Sequence, residues 1–233
     1  MVEAGIQPDQ WQADLLRSTC SDILMLCARQ RGKSLVAAAL ALAVAFTRPP
    51  ALVLLLCPTL RQSGELFKEK LLGLYDRLHR PIPATQETAL TLTLANGSRI
   101  ISLPSSEKNI RGYSSVALLV VDEAARVPDE LYNAIRPMLA VSAGRLIALS
   151  TPFGRRGWFY NEWHSSNNWY RARVTAENCP RIPAGFLAQE RRSLGERWYR
   201  QEYLCSFEDA IGQIFASELL ERAMASELEA FDI

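Results

Sequence analysis

The chain has 233 residues, with 26 Lys and Arg against 25 Asp and Glu, a formal net charge of +1, and 48% hydrophobic and 22% charged residues. That is the balance of a globular core, and a net charge so near zero selects no partner by itself. No apolar run reaches the roughly 18–20 residues of a bilayer span, and the opening MVEAGIQPDQ, with early acid and no apolar segment, does not read as a secretory signal.

In chain order, DILMLC (22–27) is a short apolar run of the kind that forms a buried strand. SLVAAALALAVAF (34–46) is alanine-rich and suits a helix packed on a sheet, and ALVLLLC (51–57) is a second strand. Residues 60–79 place Leu66, Leu71, Leu74 and Leu78 at mostly helical spacing. TALTLTLANGSRIISL (88–103) alternates, turns at Asn96-Gly97 and runs on, the pattern of a hairpin. SVALLVVD (115–122) and RLIALS (145–150) are two more buried strands, with PDELYNAIRPML (128–139) a helix between them. Strands alternating with helices over residues 20–150 imply an α/β fold with a mostly parallel sheet covered on both faces.

After Ser150 the apolar runs stop, and Trp158, Trp163, Trp169 and Trp198 appear among arginines. Residues 145–200 hold ten arginines against four glutamates, a local charge of +6, and residues 201–233 hold one arginine against eight acids. This predicts a core over 1–152, a small helical lid subdomain over 153–206, and a C-terminal linker helix over 207–233 around ASELLERAMASELEAF. The basic segment is either a solvated face or a surface for a polyanion. Cys20, Cys27, Cys57, Cys179 and Cys205 form no C-x-x-C pair and leave one over, which points to a reducing setting. His79 and His164 stand apart, which argues against zinc.

The chemistry concentrates at three strand ends. CARQRGKS (27–34) ends in Gly32-Lys33-Ser34 like a phosphate loop of pattern G-x-x-x-x-G-K-[ST], but Cys27 stands at the first glycine. Gly32 permits close backbone approach, Lys33 reaches β- and γ-phosphates, and the Ser34 hydroxyl suits Mg²⁺. In ALLVVDEAA (117–125) Asp122 emerges at the end of a strand, placed to hold the Mg²⁺ shell, and Glu123 follows, placed to polarise an attacking water. In LIALSTPFG (146–154) Ser150 and Thr151 can sense a γ-phosphate from a neighbouring strand, although Ser-Thr-Pro also makes an ordinary turn. The cofactors expected are ATP and Mg²⁺.

RQRGKS (29–34), VVDEAARVPDELY (120–132) and STPFGRRGWFYNEW (150–163) together resemble the ATPase domain of the large terminase subunit of tailed bacteriophages, in order and over nearly the whole chain. That resemblance implies a P-loop NTPase of the additional-strand, catalytic-glutamate type that hydrolyses ATP to drive double-stranded DNA into a procapsid. It implies Glu123 as catalytic base, Lys33 and Ser34 on phosphate and Mg²⁺ with Asp122, and Gln30 and Arg31 as further members of the nucleotide loop. Ser150-Thr151-Pro152 would couple hydrolysis to DNA movement. Arg29 matches the loop arginine that folds over the nucleotide, and Arg111 in NIRGYS resembles an arginine offered to a neighbouring subunit, unless it pairs with Glu107. Gln12 in QPDQWQADLL resembles an adenine-recognising glutamine, or is an ordinary helix residue. Gln62 in CPTLRQSGE senses phosphate or starts a helix. Implied partners are a homo-oligomeric ring on the portal protein, the small terminase subunit and a nuclease domain normally C-terminal, with no membrane, in the host bacterial cytoplasm. No carboxylate cluster follows residue 206, so cutting activity is not expected of this chain. A helicase-like DNA-dependent ATPase and a nucleotide-binding assembly module with little turnover are the alternative readings.

Overall fold

The computed structural model describes residues 1–106, 110–177, 179, 181–209 and 223, without the Arg111 side chain. Helix α1 (Gln10–Arg17) leads into strand β1 (Asp22–Cys27), and α2 (Lys33–Thr47) connects it to β2 (Leu52–Cys57). Next comes one continuous rod: α3 (Leu60–Glu65), a π-helical segment (Leu66–Leu72) and α4 (Gly73–Arg77). Strands β3 (Ala84–Glu87), β4 (Thr91–Leu94) and β5 (Arg99–Pro104) precede β6 (Val116–Asp122), α5 (Asp129–Ile135) and β7 (Arg145–Ser150). The chain continues through α6 (Gly157–His164), β8 (Tyr170–Val174), α7 (Ala184–Leu194) and α8 (Glu196–Leu204).

All eight strands form one sheet in the order β3-β4-β5-β2-β6-β7-β1-β8. The six from β5 to β8 run parallel, and β4 and β3 add an antiparallel end. The apolar runs are continuous because both faces are covered. Ile23, Met25 and Cys27 of β1 face α2 and the π-helical rod, whereas Leu24 and Leu26 face α5, α6 and α8. The expected hairpin is present, with Leu92 opposite Ile100, Gly97 at φ 84° in its turn, and the Asn96 amide anchored on the Ala45 carbonyl at 2.9 Å.

One expectation is corrected. Residues 153–206 are not purely helical: Tyr170–Val174 form β8, which pairs parallel with β1 and lies at the edge of the main sheet. Tertiary pairing outweighs a local pattern whose side chains are mostly half-exposed. Strand β3 is likewise an addition to the expected elements; its TQE is exposed at the opposite edge. Apart from Ala223, the segment ASELLERAMASELEAF lies outside the described residues. Among the described residues no helix is long and apolar enough to cross a membrane.

Candidate active site

β7 inserts between β1 and β6, so three strands deliver their carboxyl ends side by side. β1 delivers the loop 28–32, β7 delivers Ser150-Thr151 and β6 delivers Asp122-Glu123. This is the position where open α/β sheets bind ligands. Gly32 sits at φ 80°, ψ 30° as the residue before α2, in the left-handed region that glycine adopts without penalty. A Cβ there would lie 2.7 Å from the Gln12 amide nitrogen, so a side chain at this position would displace the end of Gln12. Gln30 and Glu123 also have positive φ, 56° and 50°. Such strain in non-glycine residues persists where surrounding contacts over-determine it, and two of the seven such residues described line the cleft.

The side chains converge. Lys33 is 8% exposed and its Nζ lies 3.3 Å from Glu123 Oε1. Thr151 Oγ1 donates to Glu123 Oε2 at 3.3 Å, and Ser34 Oγ donates to Asp122 Oδ2 at 2.8 Å. The Glu123 N–H donates to Asp122 Oδ1 at 3.0 Å. Ser150 is fully buried; its hydroxyl donates to the Thr151 carbonyl at 2.7 Å and accepts from Ala125 N–H at 3.0 Å. Burial, then the neighbouring Glu123 charge, pushes Asp122 above the usual carboxylate range, against the Ser34 hydrogen bond and the Lys33 charge. Ser34 and Asp122 offer hard oxygens to one point, which fits Mg²⁺. Among the described residues no three His, Cys, Asp or Glu side chains form a metal cage, so such an ion would complete its shell with phosphate and water.

Above these residues opens a cavity of about 1,020 Å³. It is lined by Arg29 through Leu35, Glu123, Arg126 and Thr151, and by Glu69, Lys70, Gly73, Leu74 and Arg77 of the π-helical rod. π-Helical turns recur at functional sites, and this one brings Glu69 and Lys70 to the cleft. Gln62 lines the cavity too; its N–H donates to Thr59 Oγ1 at 3.2 Å and its Oε1 accepts from the Thr59 hydroxyl at 2.9 Å, capping α3.

The arginines differ. Arg29 is exposed at the cleft but its Nε is paired with the buried carboxylate of Glu202 on α8, and its N–H donates to the Glu202 carbonyl at 3.2 Å. Arg31 is only 3% exposed. Its Nη2 lies 3.7 Å from Asp9, and its Nε and Nη1 are buried without a hydrogen-bond partner. Arg181 binds the same Asp9 through both terminal nitrogens. Burial raises the Asp9 carboxyl, but the Arg181 hydrogen bond and the charges of Arg181 and Arg31 outweigh it and hold the group below its ordinary value. Gln12 is 3% exposed and does not line the cavity. Its Nε2 donates to the Gly32 carbonyl at 3.3 Å and its Oε1 accepts from Asp9 N–H at 2.9 Å. Arg111 falls on the 3-10 turn Ile110–Gly112, beside residues 107–109 that are not described.

Sequence spacing thus brings together Lys33, Ser34, Asp122, Glu123 and Thr151. It misses Asp9, Glu202, Arg126 and the wall from Glu69 to Arg77. The only signal for these is the unpaired charge of Arg29 and Arg31 inside a phosphate loop. Six of the ten arginines of the basic segment are used internally: Arg145 on the Ser18 and Cys20 carbonyls, Arg155 on the Phe207 carbonyl, Arg171 on the carbonyls of 162–169, Arg181 on Asp9, Arg191 on Glu196 and Arg200 on Glu208.

Sheet order, loop geometry and converging side chains define a P-loop NTPase fold with an additional strand between the loop strand and the acidic strand. Residues 24–222 match the family model described as terminase large subunit, T4likevirus-type, N-terminal, and the chain belongs to that family. The large terminase subunit of Escherichia phage T5 is 27% identical over 133 residues, covering 53% of this chain. The chain spans 30% of the length of that curated relative. Two structures of the Thermus phage P74-26 large terminase ATPase domain, one of them a mutant, superpose with TM-scores of 0.77 and 0.76 at 23% and 22% identity. Each match covers 88% of this chain and 96% of that one. The large terminase of a thermophilic bacteriophage, solved in complex with ADP, gives a TM-score of 0.69 at 18% identity, over 86% of this chain and 54% of that one.

Proposed function

We propose that this chain is the ATP-hydrolysing motor domain of a phage terminase large subunit, which drives double-stranded DNA into a procapsid. The observation that carries it is the convergence of Lys33, Ser34, Asp122, Glu123 and Thr151 at three adjacent strand ends. Lys33 and the loop N–H groups bind the phosphates, and Ser34 and Asp122 would hold Mg²⁺, which would neutralise charge on the phosphoryl oxygens. Glu123 Oε orients the attacking water and accepts its proton, with Thr151 fixing the carboxylate. Arg29 and, from a neighbouring subunit, Arg111 stabilise charge in the transition state. Ser150 and Thr151 relay the state of the cleft towards α6. The thermophilic phage large terminase in complex with ADP supports the nucleotide part of this reading. A ring on the portal protein, the small terminase subunit and a nuclease domain are its proposed partners, in the bacterial cytoplasm.

The Lys33–Glu123 ion pair favours one second reading, a nucleotide-binding assembly module with little turnover alone, because it ties the base to the lysine. The deciding measurement is ATP turnover against protein concentration, with and without DNA. For a motor, turnover rises steeply with concentration, and Glu123→Gln lowers it by about 10²–10⁴-fold while ATP still binds. Binding without turnover under every condition leaves the assembly module. Strand separation on forked DNA would point to a helicase-like enzyme instead.

A further inference from the structure

Arg126 takes no part in the reading above, yet it lines the same cavity as Lys33, Glu123 and Thr151. It ends the 3-10 turn Ala124–Arg126 directly after Glu123, and its N–H donates to the Glu123 carbonyl at 2.9 Å. Its side chain is exposed, and among the described residues it forms no ion pair with a carboxylate. Instead its guanidinium carbon lies 4.3 Å from the centroid of the Phe153 ring. The Arg156 guanidinium carbon lies 5.5 Å from the same ring. A phenyl face attracts a cation and restricts its orientation without neutralising it. Two guanidinium groups on one ring, neither paired with a carboxylate among the described residues, leave a local excess of positive charge around Phe153, and of the two only Arg126 lines the cavity.

The position of Arg126 decides which part of a ligand it meets. Glu123 pairs with Lys33 and accepts from Thr151, so on the nucleotide reading this corner faces the terminal phosphate, whereas Ile6 and Leu74 line the cavity with apolar surface. Phe153 follows Thr151 and Pro152 directly, so the ring that orients Arg126 belongs to the stretch leaving β7 for α6.

We propose that Arg126 contacts the terminal phosphate of a bound nucleoside triphosphate, and that Phe153 is the positioning residue that aims it. This rests on the nucleotide reading of the cleft. A planar guanidinium donates charge-assisted hydrogen bonds to phosphate oxygens, and those oxygens are missing from a diphosphate. Arg126 therefore discriminates triphosphate from diphosphate, and Phe153 ties that discrimination to the segment entering α6.

The test is equilibrium binding of ATPγS and of ADP, each with Mg²⁺, to the full chain by calorimetry. The proteins are wild type, Arg126→Ala, Arg126→Lys, Phe153→Leu and, as reference, Lys33→Ala. Arg126→Ala weakens ATPγS by about 10- to 100-fold with ADP affinity unchanged. Arg126→Lys recovers part of the loss, and Phe153→Leu shifts the ATPγS-to-ADP ratio the same way by less. An unchanged ratio in Arg126→Ala overturns the proposal, as does an equal loss for both nucleotides. An unchanged ratio in Phe153→Leu overturns the positioning role. If wild type binds and Lys33→Ala abolishes binding, such failures concern Arg126 and Phe153 alone; if wild type binds neither nucleotide, the nucleotide reading falls with them.

Discussion

Around β6 a side chain meets mostly hydrocarbon, and around Glu162 on α6 it meets mostly hydrogen-bond donors. Leu118, Leu119, Val120 and Val121 are nearly inaccessible to solvent and pack into two apolar layers, one on each face of the sheet. Glu162 accepts from Tyr132 Oη at 3.1 Å, Ser165 Oγ at 3.1 Å, Asn167 Nδ2 at 2.9 Å and Trp169 Nε1 at 2.8 Å. Its own carbonyl receives Arg171 Nη2 at 2.9 Å. The first region is held by a force that is non-directional and indifferent to pH, the second by charged, directional contacts. Both kinds of force act at the phosphate loop, which follows β1 and where Arg29 pairs with Glu202 and Arg31 with Asp9. The loop thus stands on a rigid apolar sheet and is tethered sideways by ion pairs that charge changes can release.

The largest effect should come from the apolar side. Replacing Phe67, fully buried on the π-helical segment, with alanine costs about 3–5 kcal/mol, because packing there cannot collapse fully. For a chain of this size the melting temperature falls by roughly 6–20 °C, by about the same amount at pH 5 and pH 8. A strongly pH-dependent penalty for Phe67→Ala would break the contrast between the regions.

An intermediate effect belongs to Glu162. Burial pushes its carboxyl up, but the hydrogen bonds from Asn167, Trp169, Tyr132 and Ser165 outweigh that and hold it below its ordinary value. A carboxylate lowered in the folded state contributes stability that is present above its unfolded pKa and lost as pH falls through the lowered folded value. The region around α6 should therefore loosen at acid pH while the sheet persists. Four of the five tryptophans, Trp158, Trp163, Trp169 and Trp198, lie in residues 153–206, so their fluorescence reports on that region. On acidification the emission shifts before far-UV circular dichroism changes. Glu162→Ala costs about 1–3 kcal/mol at neutral pH by leaving donors unpaired, and it abolishes the early acid shift. Coincident fluorescence and dichroism transitions in wild type would show the two regions to be one cooperative unit.

The same contrast explains what was legible in the sequence. β1, β2, β6 and β7 read clearly because burial on both faces demands unbroken apolar runs. β8, with sequence YRARV, has one strand neighbour; Arg171 caps carbonyls and Arg173 stacks on Trp163, and no local pattern announces contacts of that kind. At the site, the convergence of Lys33, Ser34, Asp122, Glu123 and Thr151 was legible because all five lie at or just beyond the carboxyl ends of strands that apolar runs announce. Glu202 and Asp9 were not: Arg29 meets Glu202 across 173 residues and Arg181 meets Asp9 across 172, which leaves no spacing to read. The π-helical turn that lines the cavity was also invisible, because LFKEKLL has an ordinary helical composition.

The smallest predicted effect tests an uncharged support of the same loop. Both polar atoms of the Gln12 amide are engaged with backbone, Nε2 with the Gly32 carbonyl and Oε1 with the Asp9 N–H. Gln12→Ala therefore removes one support of the phosphate loop and one helix cap, together worth about 1 kcal/mol of stability. It leaves Gly32 with its left-handed conformation but with no side chain behind it. A strut acts on every nucleotide equally, so ATP and GTP should weaken by the same small factor and their ratio should hold. A base-reading glutamine acts on adenine alone. Measured affinities of ATP and GTP for wild type and Gln12→Ala separate the two roles. If the preference for ATP collapses, Gln12 leaves its backbone partners on nucleotide binding and reads the base.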